Sequence, residues 1–144
     1  MNRVLTVCIG NICRSPLAEA ALARELPGWQ VSSAGLQALI GQPADALSQA
    51  VGREQGLDLS GHRAQQLTQF LAQQAEVILV MESSHQQQLE ALYPTVRGKV
   101  YRLGHFSRFD IADPYRKPRE AFESAWAAIA AGVADWAPRL KRLA

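Results

Sequence analysis

A thiol and a guanidinium, Cys8 and Arg14, stand at the two ends of Cys8-Ile9-Gly10-Asn11-Ile12-Cys13-Arg14, and Ser15-Pro16 follows directly. Displacement at the phosphorus of a phosphate ester needs a nucleophile, donors for three equatorial oxygens and an acid for the leaving oxygen. A thiolate can be that nucleophile, and a helix N-terminus beside an arginine is the setting that favours thiolate over thiol. The planar fork of Arg14 can hold two equatorial oxygens, a geometry that lysine does not reproduce. Gly10 lets the backbone turn inward, and Asn11 tolerates the left-handed conformation such a cradle contains. The stretch Ile9 to Ser15 is therefore a candidate anion-binding loop, while its acid must come from elsewhere in the chain.

The flanking residues predict how the loop is held. Arg3–Cys8 is apolar and β-branched, which predicts a strand; the alanine-rich pattern from Pro16 to about Leu26 predicts a helix. Pro16 fits the first helical position, and Ser15 fits the N-cap before it. The turn between them then points N–H groups and a helix dipole at one spot. Further strands are predicted over about 29–33, 76–81 and 99–103, that over 76–81 being a continuous apolar run as expected when both faces are covered. Helices are predicted over about 45–55 (closed by Gly56), over 67–74, after Ser83 or Ser84 with Leu89, Leu92 and Tyr93 inward, and from about Pro118. In the last, Phe122, Ala125, Trp126, Ile129, Val133, Trp136 and Leu140 share one stripe, and Pro138 is expected to end or kink it. Residues 104–117 have no sustained period and read as loop. Alternating strands and helices imply right-handed crossovers and an α/β fold, a parallel sheet with helices on both faces. In such sheets ligands sit at the carboxyl ends of the strands, where the Cys8–Ser15 loop falls.

Composition narrows the function classes. The 144 residues predict one domain, 1–144, able to bury roughly 68–70% of its unfolded surface. A formal net charge of +2 with no basic stripe argues against nucleic acid. The sequence has no signal peptide and no apolar run long enough to span a bilayer, so no membrane insertion and a cytoplasmic location are expected. Cys8 and Cys13 are the two cysteines, and a bridge between them would staple nothing, so they do not read as a structural disulfide. No metal-ligand cluster is evident, and Cys-x-x-Cys redox chemistry is excluded by the spacing.

Cys8, Gly10, Asn11, Cys13, Arg14, Ser15 and Pro16 together make a loop that closely resembles that of the low-molecular-weight protein tyrosine phosphatases. The resemblance extends to Ser33-Ala34-Gly35, Gly61-His62, the strand ending in Met81, and Asp113-Pro114-Tyr115, and so covers essentially the whole chain. It implies a four-stranded parallel sheet of order 2-1-3-4 with the phosphate-binding loop after the first strand. It implies Cys8 as the nucleophile that becomes a phosphocysteine, and Arg14 on the phosphoryl group and its transition state. Ile9, Gly10, Asn11, Ile12, Cys13 and Ser15 would line the phosphate site. Asp113 would be the acid for the tyrosine oxygen and then the base for water, with Asp110 its rival by proximity in sequence. Ser15 would hydrogen-bond the Cys8 thiolate, Asn11 would hold the loop, and Ser33 and His62 would tie it from behind. Cys13 would be a redox partner that protects Cys8 from over-oxidation.

Two departures from the eukaryotic pattern bear on specificity. Leu39 stands at or near the aromatic position of the rim, and Tyr115-Arg116 replaces two adjacent tyrosines, with Tyr115 as the other cleft wall. The Leu-x-Ala-Leu segment and Asp-Pro-Tyr-Arg-Lys-Pro-Arg resemble the bacterial branch associated with capsule and exopolysaccharide export. That resemblance implies as partner a phosphotyrosine protein, the tyrosine-rich cytoplasmic tail of a membrane autokinase, to which Arg116, Lys117 and Arg119 could be attracted. It also implies inhibition by phosphate-like oxyanions and no cofactor. Two other functions fit the scaffold. Arsenate reduction needs further cysteines to pass a disulfide outward, and there are none after Cys13. A non-catalytic phosphotyrosine-binding module would be expected to lack Cys8, Arg14 or Asp113, and all three are present.

Overall fold

The computed structural model describes residues 2–144. Strands β1 (Arg3–Cys8), β2 (Gln30–Gly35), β3 (Val77–Val80) and β4 (Val100–Arg102) form one parallel sheet in the order β2-β1-β3-β4. Helices α1 (Arg14–Glu25), α2 (Ala46–Glu54), α3 (Gln69–Gln74), α4 (Ser83–Leu92) and α5 (Arg119–Leu143) complete the fold. The sheet thus has the expected order, and period-two alternation explains its two cores. Val4, Cys8, Leu79 and Met81 pack with Leu17, Leu22, Ile129, Val133 and Trp136 of α1 and α5. Leu5, Val7, Ile78 and Val80 face the other way, onto Ala72 of α3 and Leu89 of α4. The chain leaves β1 to one side for β2 and to the other for β3, so the strand order switches at the end of β1. The loop after Cys8 opens there.

Several boundaries differ from the sequence expectation for local physical reasons. Helix α1 begins at Arg14 with Cys13 as N-cap and no side-chain cap, so Pro16 is its third residue and Ser15 is not the N-cap. The Ser15 hydroxyl is engaged with Cys8 and Asn11 instead. Neither Ser83 nor Ser84 caps α4: Glu82 is the N-cap, and Asp110 accepts the Ser83 N–H at 3.2 Å from another segment. Leu92 is exposed and Leu89 alone of its pair is buried. Pro138 neither ends nor breaks α5, which continues to Leu143. A proline removes one donor, and the burial of Trp136, Ala137 and Leu140 on both sides of it outweighs that loss.

Gly35 couples the sheet to the loop. It pairs with Cys8 across the ladder, and a Cβ built on it would lie 2.5 Å from the Ile9 carbonyl oxygen. Only glycine lets these two backbones approach. Gly35→Ala is expected to lower stability by about 1–3 kcal/mol, the usual cost of overpacking, read as a shift of the urea midpoint. An unchanged midpoint would mean the two segments tolerate separation.

Candidate active site

The loop's carbonyls are held from behind, one after another. Leu36, Gln37 and Leu39 donate their N–H groups to the oxygens of Cys8, Ile9 and Gly10 at 2.9, 2.9 and 3.0 Å. The Asn11 carbonyl accepts from His62 Nε2 at 2.6 Å, which requires the proton on that nitrogen. Asp45 N–H reaches the Ile12 oxygen at 2.8 Å, and the Ser48 hydroxyl reaches that of Cys13 at 3.2 Å. Among the described residues, the N–H groups of residues 10–13 donate to no other group of the protein. With the carbonyls turned out, these donors and the uncapped start of α1 face the concave side. An anion is the natural acceptor for such a nest.

Asn11 fixes this shape. It is fully buried and sits at φ 59°, in the left-handed region. Its Oδ1 accepts the Gln65 N–H at 2.9 Å, so its Nδ2 must face Ser15 Oγ at 2.8 Å and Ser33 Oγ at 2.9 Å. Ser33 then has its hydrogen for Glu19 Oε1 at 2.6 Å. Ser15, whose oxygen already accepts from Asn11, has its hydrogen for Cys8 Sγ at 2.9 Å. A hydroxyl so placed can donate to a sulfur that carries negative charge. Cys13 is in the opposite situation: burial raises its thiol pKa well above the usual range, and Asp45, Cys8 and Asp113 push the same way against the Ser48 hydroxyl. At neutral pH Cys13 is held as the thiol.

Arg14 is 1% exposed yet charged, so it needs anionic company. Its Nη1 donates to Glu82 Oε2 at 2.6 Å and to the Ile111 carbonyl at 2.7 Å. Its Nε has no partner, and its Nη2 lies 3.8 Å from Asp113 Oδ2. Nε and Nη2 are the side-on pair that grips two oxygens of an oxyanion at once. Below Glu82, His85 is buried with its Nε2 at 3.6 Å from the carboxylate. Burial and Arg14 hold its pKa below the ordinary histidine value, while Glu82, Asp110 and Asp113 pull the other way.

Cys8, Ile9, Gly10, Ile12, Cys13, Arg14, Leu39, Asp113 and Tyr115 line one cavity of about 420 Å³, with Gln37 and Arg116 at its edge. Leu39 and Tyr115 are the half-exposed apolar surfaces of its mouth. Asp113 Oδ1 accepts the Tyr115 N–H at 3.1 Å, which fixes the carboxylate's rotation while Oδ2 stays by Arg14. Its rival Asp110 is committed to Arg102 at 3.0 Å and to the start of α4, and does not line the cavity. Ser33 and His62 stand behind the loop, each bonded to Asn11. Sequence reasoning missed Glu82, Gln65, Asp45, Ser48 and Glu19. Glu82 alone had a usable signal, since it is the first polar residue at the carboxyl end of the most apolar strand.

The family model for low molecular weight phosphotyrosine protein phosphatase matches residues 3–144. A probable low molecular weight protein-tyrosine-phosphatase EpsP of Ralstonia nicotianae is 51% identical over 143 residues, 99% of each chain. The solved Wzb of Vibrio vulnificus in complex with benzylphosphonate superimposes with TM-score 0.93 at 43% identity, covering 96% of this chain and 98% of that one. The YwlE arginine phosphatase of Geobacillus stearothermophilus superimposes with TM-score 0.92 at 34% identity, covering 99% and 94%.

Glu82→Gln keeps a partner for Arg14 Nη1 but removes the charge. Hydrogen bonds to charged groups are worth roughly 1.5–3 kcal/mol, so kcat/KM on an aryl phosphate is expected to fall about ten- to a hundredfold. An unchanged kcat/KM in a folded variant would mean that the ion pair is not what holds the Arg14 fork.

Proposed function

The chain belongs to the low-molecular-weight phosphotyrosine protein phosphatase family, and from that premise we propose how its residues hydrolyse phosphotyrosine. The protein is a phosphatase of that family; what is inferred is the role of each side chain. The observation that carries the reading is the convergence of Cys8, the Arg14 fork and Asp113 on one cavity. In the first step the Cys8 thiolate attacks phosphorus, the bond to the tyrosine oxygen breaks, and Asp113 gives that oxygen its proton. In the second, water attacks the phosphocysteine, Asp113 takes a proton back, and the sulfur leaves as a thiolate that the Ser15 hydroxyl stabilises. The amides of residues 10–13 and the Arg14 fork carry the charge on the equatorial oxygens throughout. Asn11, Ser33 and His62 keep the loop in register.

The substrate's ring would lie between Leu39 and Tyr115, with Ile12 below. These walls offer apolar contact to a phenyl group. A guanidino phosphate, the substrate class in the name of the YwlE relative, would gain less from them and would meet Arg116 as a like charge. Phosphate-like oxyanions should compete for the loop, as benzylphosphonate occupies the Vibrio relative. The physiological substrate is the cytoplasmic tail of a membrane tyrosine autokinase in polysaccharide export, a proposal resting on the Leu39 rim and the Asp113-Pro114-Tyr115-Arg116 segment. It places the enzyme in the cytoplasm; among the described residues no helix is long and apolar enough to cross a membrane. Cys13 remains the proposed redox partner: a sulfenic acid on Cys8 would condense with the Cys13 thiol, releasing water and forming a disulfide. Peptide mapping after mild peroxide is expected to find that disulfide; sulfinic acid on Cys8 with Cys13 free would remove Cys13 from this role.

Cys8→Ser is expected to abolish turnover while the fold survives. A tyrosine leaving group has a pKa of about 10, so Asp113→Ala should slow phosphotyrosine hydrolysis by roughly 100- to 10,000-fold and p-nitrophenyl phosphate hydrolysis much less. Equal losses on both substrates would move Asp113 from proton transfer to binding. Faster hydrolysis of a phosphoarginine peptide than of its phosphotyrosine counterpart would overturn the substrate assignment.

A further inference from the structure

The rim of the cavity carries one exposed cation that the reaction leaves unused. Arg116 sits at φ 63°, in the left-handed region, and its Cζ lies 5.2 Å from the centroid of the Tyr115 ring. Stacking on the ring and a fixed turn hold the guanidinium at the mouth rather than letting it sweep through solvent. The other arginines near the site are committed. Arg14 is tied to Glu82, Arg102 to Asp110, and Arg119 to Glu54 at 2.6 Å and Glu123 at 3.2 Å. Arg119 is thus already paired with two carboxylates of the protein itself. Among the described residues, no carboxylate lies within ion-pair distance of Arg116. Of the residues that line the cavity with it, Gln37, Leu39 and Tyr115 are uncharged, and the one carboxylate, Asp113, is engaged with Arg14 and the Tyr115 N–H.

A phosphoryl group in the loop is met by Arg14 and the amides on the cavity floor, and Arg116 stands at the rim, beside the ring that flanks the substrate's own. A peptide whose phosphotyrosine enters this cavity would pass its flanking residues across the rim that carries the guanidinium. We propose that Arg116 is a specificity-determining residue that selects phosphotyrosine flanked by acidic groups, carboxylates or a second phosphoryl, and disfavours basic flanks. The inference rests on the phosphotyrosine reading above and adds the substrate class that the same mouth prefers.

The test compares kcat/KM on three phosphotyrosine peptides that differ only in aspartate, glutamine or lysine beside the phosphotyrosine. Wild type, Arg116→Gln and Arg116→Lys are measured at low and high salt. An exposed ion pair is worth at most about 1 kcal/mol, so wild type should prefer the acidic over the neutral peptide by roughly two- to fivefold, and the lysine peptide should be the poorest. The preference should shrink at high salt, disappear in Arg116→Gln and largely persist in Arg116→Lys. A wild type that ignores the flank, or an Arg116→Gln variant that keeps the preference, would overturn the proposal. So would a uniform loss on all three peptides, which would put Arg116 on the phosphoryl group itself. Failure to hydrolyse any phosphotyrosine peptide would instead sink the underlying reading, and this inference with it.

Discussion

Six successive carbonyls, from Cys8 to Cys13, find their donors on the outside of one loop. That constraint decides the chemistry, because a peptide unit whose oxygen is pinned outward has its N–H on the inner side. The pins come from three separate segments. Residues 36, 37 and 39 follow β2, His62 and Gln65 lie on the segment before α3, and Asp45 and Ser48 begin α2. Asn11 joins them at the centre, spending its carbonyl oxygen, its Oδ1 and its Nδ2 on four separate partners. Fully satisfied buried networks rigidify, and this one holds a donor array in place before any anion arrives.

The electrostatics follow from that array. Buried positive potential from amides and Arg14 is costly without counter-charge, and Glu82 supplies it from the end of β3. Glu82 uses the face of the guanidinium turned away from the cavity, leaving the Nε edge for ligand. Two cysteines share the loop yet differ in character: Ser15 directs a hydrogen at Cys8, while burial and nearby acids keep Cys13 protonated.

The sequence made the floor of the site legible because its chemistry is local. Cys8 through Pro16 is one short segment between a strand and a helix, and residue types alone suggest an anion nest. Asp113 is a different case. An aspartate before proline is ordinarily a turn residue, and only the family pattern set it apart from Asp110. The back of the loop was partly hidden. Ser33 and His62 came with the motif, whereas Gln65, Asp45 and Ser48 act through single hydrogen bonds at long sequence separation, for which periodicity carries no signal. The Ser15 cap expectation failed for the same reason: capping preference is local, and the hydroxyl was taken by Cys8 and Asn11 through tertiary structure. Pro138 does not end its helix, since a rule about backbone donors yielded to burial of the helix on both sides.

The central claim is that the sulfur of Cys8, and no other atom of the loop, receives the phosphoryl group. The direct measurement is a denaturing quench of Asp113→Ala protein during turnover of p-nitrophenyl phosphate, followed by phosphorus NMR and peptide mapping. The account predicts one thiophosphate resonance and one phosphorylated peptide, modified at Cys8. A phosphoryl group on Ser15 or Cys13, or continued turnover with none on the protein at any quench time, would contradict it.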